Sequence, residues 1–479
     1  MEVRKLKNRL FIDGNWVGSE IYKDLYSPFS GEKIAEIPKA SIQQVDEAIE
    51  SATRNQHKIS SMPAYERANI LEKLVSLLTR DREEAARLIS LESAKPLKTA
   101  LVEVDRTIET YKFSAEEAKR IHGEMIPMDS AKGGVNRLAY TIREPLGVIG
   151  AITPFNFPMN LVAHKIGPAI ASGNSVVLKP AEQTPLSSYF IAKLFEEAGL
   201  PKGVLNVVTG KGSEIGDHIV TSNKINMITF TGSPKVGMEI KAKANLKKVS
   251  LELGSNAGLI IDEDTNLDGI AKSCAFGAFS NQGQVCISLQ RIYVMASVLQ
   301  EFIEKFNNET KKLICGNPLN PETDVSSLIT KGDLDRSISW IEEAKEEGAV
   351  VICGGFEKDN VLMPTILTRV QSTSKVSCQE VFAPIVTVTP IKSIVEGIDL
   401  INDSKYGLQA GIFTNDIQTA LEASKKLHVG GVIINDIPTY RVDQMPYGGV
   451  KESGNTKEGI KYAIEEMTEV KLVVWNQNF

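Results

Sequence analysis

Five cysteines are spread through the chain, at positions 274, 286, 315, 353 and 378, and Cys286 is the one placed to do chemistry. It lies in the segment FSNQGQVCIS (279–288), after a polar turn at the expected end of a helix. Gly283 lets the chain turn sharply and lets a substrate approach the backbone. Nearby amides or a positive helix end favour the thiolate, the reactive form of cysteine. Glu252 interrupts the apolar run of SLELGS just before Gly254. A carboxylate there is costly unless it is paired or used, and a partly buried one with a raised pKa makes a general base near neutral pH. Asn156 stands in TPFNFP (153–158), where two prolines stiffen a loop directly after a buried strand. Its side-chain amide is a donor suited to a developing oxyanion. Each residue has a plain alternative: a structural cysteine, an exposed strand-end glutamate, an asparagine satisfying a turn.

A second group points to a nucleotide. LKPAE ends a strand with Lys179 and, three residues on, Glu182. A lysine binds ribose hydroxyls or phosphate; a glutamate accepts from both ribose hydroxyls of NAD and repels a 2′-phosphate. TFTGSPKVG puts Gly232 and Ser233 at a helix start, where free amides face an anion, although Ser233 also fits an ordinary N-cap. VTGKGSEIG holds Gly210, Gly212 and Gly216, with one residue too many for GxGxxG. It reads as a variant strand-to-helix turn that lines the cofactor cleft.

These residues need elements to position them. From about Pro145, strand-like runs at 146–153, 175–179, 204–208, 227–230 and 248–253 alternate with helical stretches at 162–171, 186–198, 213–220 and 234–244. Strand and helix alternating through short loops is the sequence form of a parallel, doubly wound α/β sheet, whose ligands sit outside the carboxyl ends of its strands. Lys179, Gly210, Thr231 and Glu252 all fall at or near such ends. After Gly254 a second series has strands at 291–296, 349–355, 385–391, 409–414 and 431–436, with helices at 298–313 and 333–347. Before the first series, helical periodicity runs from Tyr65 to Leu91 until Lys95-Pro96 interrupts it, and again from Leu101 to Ile121. GEMIP (123–127) and LAYTIRE (138–144) read as a hairpin, and EVKLVVW (469–475) as a final strand with no partner nearby in sequence. Exposed edges of this kind often pair with another subunit.

A length of 479 residues predicts two or three domains. The net charge of −6 argues against a nucleic-acid surface. The opening MEVRKLKNRLFIDGNWVG lacks the apolar run of a signal peptide, and no stretch reaches the length of a membrane span. No membrane partner and a cytoplasmic location are the expectation. The cysteines form no CxxC pair, and His57, His122, His164, His218 and His428 show no HxH or HxxxH spacing, so no bound catalytic metal is expected.

Taken together these segments resemble the aldehyde dehydrogenase superfamily along nearly the whole chain. TPFNFP resembles its oxyanion-asparagine motif, LKPAE its ribose motif, FTGS its pyrophosphate turn, LELGS its base motif and NQGQVC its nucleophile motif; EVFAP (380–384) and MPYGGVKESG (445–454) match two more, all in the family's order. The resemblance implies that Cys286 attacks an aldehyde, with Asn156 and the Cys286 amide holding the oxyanion. Hydride then passes to NAD, the preferred cofactor, or to NADP, and Glu252 activates water to hydrolyse the thioester. It places Thr153, Phe155, Glu380 and Phe382 beside Lys179, Glu182, Gly212, Gly232 and Ser233 in the cofactor site. It divides the chain into a Rossmann-type cofactor domain (1–122 and 145–253), an α/β catalytic domain (254–450) and a small β oligomerisation element (123–144 and 451–479), the last implying a homotetramer or dimer.

Departures from the family pattern are Phe155 for a common tryptophan, Ser255 and Ala383 for glycines, Ser93-Ala94-Lys95-Pro96 for Thr-Gly-Lys-Pro, and GNTKEG (454–459) for GLGREG. A CoA-acylating relative generally lacks the base glutamate, the motifs of glutamyl-phosphate reductases differ, and a non-catalytic homologue of the lens-crystallin kind has no need of Cys286, Glu252 and Asn156. The loop NDIPTYRVDQ (435–444) resembles that of bacterial lactaldehyde-type members. Tyr440 and Arg441 there would approach the substrate, Arg441 pairing with a carboxylate, phosphate or sulfonate or else forming a loop salt bridge. Lactaldehyde, sulfolactaldehyde and glyceraldehyde phosphate are the first candidates, with aromatic or broad-range aldehydes as the alternative.

Overall fold

A computed structural model describes residues 9–477. Residues 1–8, in the opening read for a leader, and 478–479, at the end of the oligomerisation element, lie outside the described residues. The series after Pro145 folds into a seven-stranded sheet. Its parallel strands Val148–Ile152, Ser175–Lys179, Leu205–Val207, Met227–Thr231 and Lys248–Glu252 lie in the order fifth, fourth, first, second, third. The order reverses between Val148–Ile152 and Met227–Thr231, which pair side by side. A reversal of this kind opens a crevice beyond the strand ends, and Thr153 and Gly232 follow those two strands. The first four of these strands are buried throughout, which is why they read as mainly apolar runs rather than as alternations. Leu10–Ile12 and Asn15–Val17 extend the sheet antiparallel; at three residues each they are too short to show a period.

A second seven-stranded sheet has the order Val350–Cys353, Thr365–Thr368, Ile385–Ile391, Arg291–Met295, Gly258–Ile261, Gln409–Phe413, Gly431–Ile434. All neighbours in it are parallel except the first pair. Only residues 253–257 connect the two sheets, so Glu252 stands at their junction. The C-terminal segment returns to the same place: Leu253 N–H donates to the Ser453 carbonyl (3.0 Å) and the Ser453 hydroxyl to the Gly254 carbonyl (2.7 Å).

Two expectations need correction. The periodicity of 65–91 covers two helices, Ala64–Arg80 and Arg82–Ser93, separated at Asp81 (φ −100°, ψ 18°); two amphipathic helices in tandem leave a nearly continuous apolar stripe. The helix expected at 213–220 opens as a π-helical turn, Gly212–Gly216, before Asp217–Thr221. The terminal strand Thr468–Asn476, which has no partner nearby in sequence, pairs along its whole length with the distant Arg137–Pro145, which also pairs with Met125–Ile126. Among the described residues no strand pairs with the outer edge of Thr468–Asn476, where Val470, Leu472, Val474 and Trp475 are exposed. No helix among the described residues is long and apolar enough to cross a membrane.

Candidate active site

The helix Leu267–Phe279 ends in a turn whose residues Asn281 (φ 50°), Gln282 (φ 56°) and Gly283 (φ 68°) are all left-handed. For the two non-glycines this costs about 1 kcal/mol or more each, and specific contacts hold it. Asn281 Nδ2 donates to the carbonyls of Asn156 (3.2 Å) and Gln284 (3.1 Å). Gln282 Nε2 donates to those of Ala94 and Ser327 (both 3.0 Å). Ala94 is itself left-handed (φ 56°), at the position where a glycine is more usual. Gly283 is required twice, by its φ and because a Cβ would run into the Ala383 carbonyl. The turn delivers Cys286 to a half-buried position with Sγ 2.7 Å from the Tyr447 hydroxyl. Burial pushes the thiol up to about 11, opposed by the Tyr447 hydrogen bond and by Arg441, with Glu380 and Glu252 adding to the rise.

Asn156 is buried, and its Nδ2 donates to the Gln284 carbonyl (3.1 Å), which fixes the amide and leaves its second N–H; Oδ1 has no protein partner. Glu252 is 3% exposed, and neither carboxylate oxygen has a protein hydrogen bond. Burial raises its pKa well above the ordinary value, Glu458 adds to this, and Arg441, Lys165 and Lys457 oppose it. Glu380 accepts from the Ser255 N–H (2.9 Å) and is raised by burial to about 7. That contact uses the backbone of Ser255, so the exchange of glycine for serine leaves it intact. Phe155 and Phe382 meet edge to face, centroids 5.8 Å apart, forming an apolar wall without tryptophan.

Around this core lies a charge cluster that sequence reasoning missed. His164 and Lys165 belong to the helix Asn160–Ala171, every residue of which is buried. Two such side chains in a fully buried and mostly apolar helix must be partnered, and their presence in an apolar run is the signal in the sequence. Lys165 Nζ reaches Thr229 Oγ1 (3.1 Å) and Glu458 (3.4 Å). His164 Nε2 lies 2.8 Å from Asp443, which also takes a two-pronged contact from Arg106 (2.7 and 3.2 Å). Against the opposing effect of burial, His164 and Arg106 hold the Asp443 carboxyl well below its usual range. Arg441 pairs with Glu458 (2.9 Å) and stacks 3.7 Å over the Tyr447 ring. Its salt bridge within the protein is therefore present, while its Nε has no protein partner. Glu458 stays ionised, drawn down to about 2 by Lys165 and Arg441 in spite of burial. The Tyr440 ring is half exposed, and its carbonyl accepts from Gln409 Nε2 (3.1 Å).

The first sheet's crevice continues into a cleft of about 540 Å³ lined by Lys179, Glu182, Thr209, Gly210, Gly212 and Lys23. Lys23, from the strand Ile21–Tyr26, pairs with Glu182 at 3.4 Å, a contact invisible at the level of the LKPAE motif. Ser233 is an N-cap of the helix Pro234–Lys243, and the Gly232 N–H is taken by the Glu252 carbonyl (3.0 Å). Of the amides expected to be free, that of Gly232 is taken up as the sheet continues past Thr231, and that of Val236 donates to the Ser233 hydroxyl. The buried Thr153 Oγ1 has no protein partner. A cleft of this size, with Lys179 and Glu182 on its wall, fits part of an extended dinucleotide. Among the described residues no group of three His, Cys, Asp or Glu side chains is placed to hold a metal.

The sequence matches the model of the aldehyde dehydrogenase family over residues 16–473. It is 48% identical over 467 residues to 3-sulfolactaldehyde dehydrogenase of Priestia megaterium, covering 98% of each chain. The fold superposes with a TM-score of 0.96 on aldehyde dehydrogenase 21 from Physcomitrella patens, solved in complex with the reaction product succinate, at 36% identity and 98% coverage of each chain. It superposes with 0.92 on glyceraldehyde-3-phosphate dehydrogenase GapN from Methanocaldococcus jannaschii, solved with NADP, at 41% identity, 95% of this chain and 100% of that one. The chain belongs to the aldehyde dehydrogenase family and is an NAD(P)-dependent oxidoreductase acting on aldehydes.

Proposed function

We propose that this enzyme oxidises a short aldehyde bearing an anionic group to its carboxylate, with Cys286 as nucleophile, Asn156 as oxyanion donor and Glu252 as hydrolytic base. The observation that carries the reading is the convergence of these three side chains, from three separate strand and helix ends, on one buried locus. The Cys286 thiolate attacks the aldehyde carbon, and the oxygen gains a negative charge received by the second N–H of Asn156 and the Cys286 amide. Two fixed donors at a partly dry site are worth several kcal/mol in the transition state. Lys179, Glu182, Gly212, Gly232 and Ser233 would hold the adenosine and pyrophosphate part of the cofactor, and Thr153, Phe155, Glu380 and Phe382 the nicotinamide part; when bound, it takes up the hydride. Glu252 then removes a proton from the water that attacks the thioester. Residues 1–122 and 145–253 would serve as the cofactor domain and 254–450 as the catalytic domain. Residues 123–144 and 451–479, with Val470, Leu472, Val474 and Trp475 exposed on the terminal strand, would join subunits into a dimer or tetramer. Five unbridged cysteines agree with a reducing, cytoplasmic setting.

Arg441 supports the anionic substrate. Its unpartnered Nε is buried beside Tyr447, the neighbour of Cys286, so an acidic group carried close to the aldehyde carbon would meet a guanidinium. The 48% identical relative is named for a sulfonated lactaldehyde, and the Physcomitrella structure holds succinate. A panel of sulfolactaldehyde, glyceraldehyde 3-phosphate, lactaldehyde and aromatic aldehydes tests this. The anionic members should give the highest kcat/KM. In Arg441→Ala their kcat/KM should fall about 10–100-fold, as expected for losing a hydrogen bond to a charge, while neutral aldehydes fall far less. The ratio within one variant cancels any loss of folded protein caused by stranding Glu458. An unchanged ratio rules out charge recognition by Arg441.

For the cofactor we propose a preference for NAD, with NADP accepted. Glu182 opposes a 2′-phosphate, and Lys23 beside it moderates that repulsion. Glu182→Gln should raise the ratio of kcat/KM for NADP to that for NAD by roughly tenfold. A wild-type enzyme that already favours NADP, or a ratio that stays put in the variant, contradicts this.

A further inference from the structure

We propose that Tyr447 is a catalytic residue of this enzyme, its phenolic O–H donating to Cys286 Sγ wherever the sulfur carries negative charge. The inference rests on the assignment of Cys286 as nucleophile and extends it. Tyr447 is 2% exposed and packs with Val285, Ile287 and Leu408. A phenyl ring would fill that space equally well. The hydroxyl therefore needs its own explanation, because burying an O–H without a partner is costly. Among the described residues its hydrogen-bond partner is Cys286 Sγ, at 2.7 Å. A neutral thiol is a weak acceptor and a thiolate a strong one, so this bond tightens on ionisation and favours the charged form.

Arg441 completes the unit. Its guanidinium lies 3.7 Å from the ring centroid, held there by Glu458 (2.9 Å). A cation on the ring face draws electron density from the phenol and makes its O–H a better donor. The groups facing the thiol are Tyr447, Arg441, Glu252 and Glu380; those facing the phenol are Cys286, Arg441 and Glu252. The two carboxyls oppose ionisation of the sulfur, which leaves the phenol and the guanidinium to promote it. Sulfur is anionic at two points of the cycle. In acylation a sulfur electron pair forms the bond to the aldehyde carbon. In hydrolysis the carbon–sulfur bond breaks and the pair returns to sulfur. The phenol keeps its proton throughout, so the same donor assists attack and departure.

Tyr447→Phe keeps the ring, its apolar contacts and the face for Arg441, and removes only the O–H. Iodoacetamide inactivation of the full chain, followed against pH with the modified residue mapped by mass spectrometry, reads the ionisation of Cys286. The midpoint should move up by about one pH unit, with the limiting rate at high pH unchanged. Single-turnover NADH formation at pH 7.5 should fall about tenfold and recover as pH rises. A midpoint equal to that of the wild type, or a loss of turnover that is the same at every pH, overturns the proposal. If alkylation maps to Cys286 and the profile does not move, the role of Tyr447 fails alone. If inactivation maps to another cysteine, the nucleophile assignment fails with it.

Discussion

Glu252→Gln should release one equivalent of NADH per active site in a rapid burst and then stall, with the steady-state rate reduced by about 10²–10⁴-fold, the usual contribution of a positioned base. The variant removes the base and leaves Cys286, Asn156 and the cofactor cleft in place, so acylation proceeds and hydrolysis does not. Intact-protein mass spectrometry during the stall should find the acyl group on Cys286. The substitution suits the site. Both oxygens of Glu252 are buried without protein hydrogen bonds, and burial together with Glu458 raises its pKa, so a neutral amide of the same shape fits there. The sign of the pH dependence follows. A base with a raised pKa gains activity as pH climbs through that pKa, so wild-type deacylation should accelerate with pH and the residual rate of Glu252→Gln should lose that segment of the profile. Undiminished steady-state turnover in Glu252→Gln, or a variant with no burst, removes Glu252 from the hydrolytic step.

Cys286→Ala should lose aldehyde oxidation altogether, with kcat/KM down by about 10⁴-fold or more, the scale set by deleting other covalent nucleophiles. The burst should vanish too, because no covalent adduct can form. Binding of NAD, read by fluorescence titration, should stay within about threefold of wild type, since Cys286 is not among the residues that line the cleft. Replacing a half-buried thiol by a methyl group costs little packing, about 1 kcal/mol, so the variant should fold. Retained burst formation in Cys286→Ala would defeat the nucleophile assignment.

The two predictions rest on residues that differ in how openly the sequence displays them. Lys179 ends a strand whose apolar run announces burial on both faces and Glu252 breaks a mainly apolar strand just before a glycine, so strand and position could be read together. Cys286 needed its glycine turn, and Asn156 its two prolines; both are local signals. The charge cluster has no local signal of equal strength. Asp443 and Glu458 lie in loop-like polar stretches and look like surface carboxylates until Arg106, His164, Lys165 and Arg441 are brought to them. Arg441 illustrates the limit well. The sequence offers a substrate anion or a salt bridge as alternatives, and the fold supplies the salt bridge through Nη2 while leaving Nε without a protein partner. Short strands were invisible for a different reason. Leu10–Ile12 and Asn15–Val17 are three residues long, less than two periods of a β pattern. The pairing of Thr468–Asn476 with Arg137–Pro145 spans more than 300 residues and leaves no trace in either segment alone.

The contacts that assemble the site are far apart in sequence: 161 residues between Cys286 and Tyr447, 279 between His164 and Asp443, 337 between Arg106 and Asp443. A chain leaving the ribosome therefore carries its cysteine long before it carries the groups that act on the sulfur. Loop closure over such distances is slow and comes late in folding. Until residues 441–458 have been made and docked, Cys286 lacks both Tyr447 and Arg441. The donors that favour the thiolate therefore reach the sulfur together and late, after most of the two sheets that shelter it has been made.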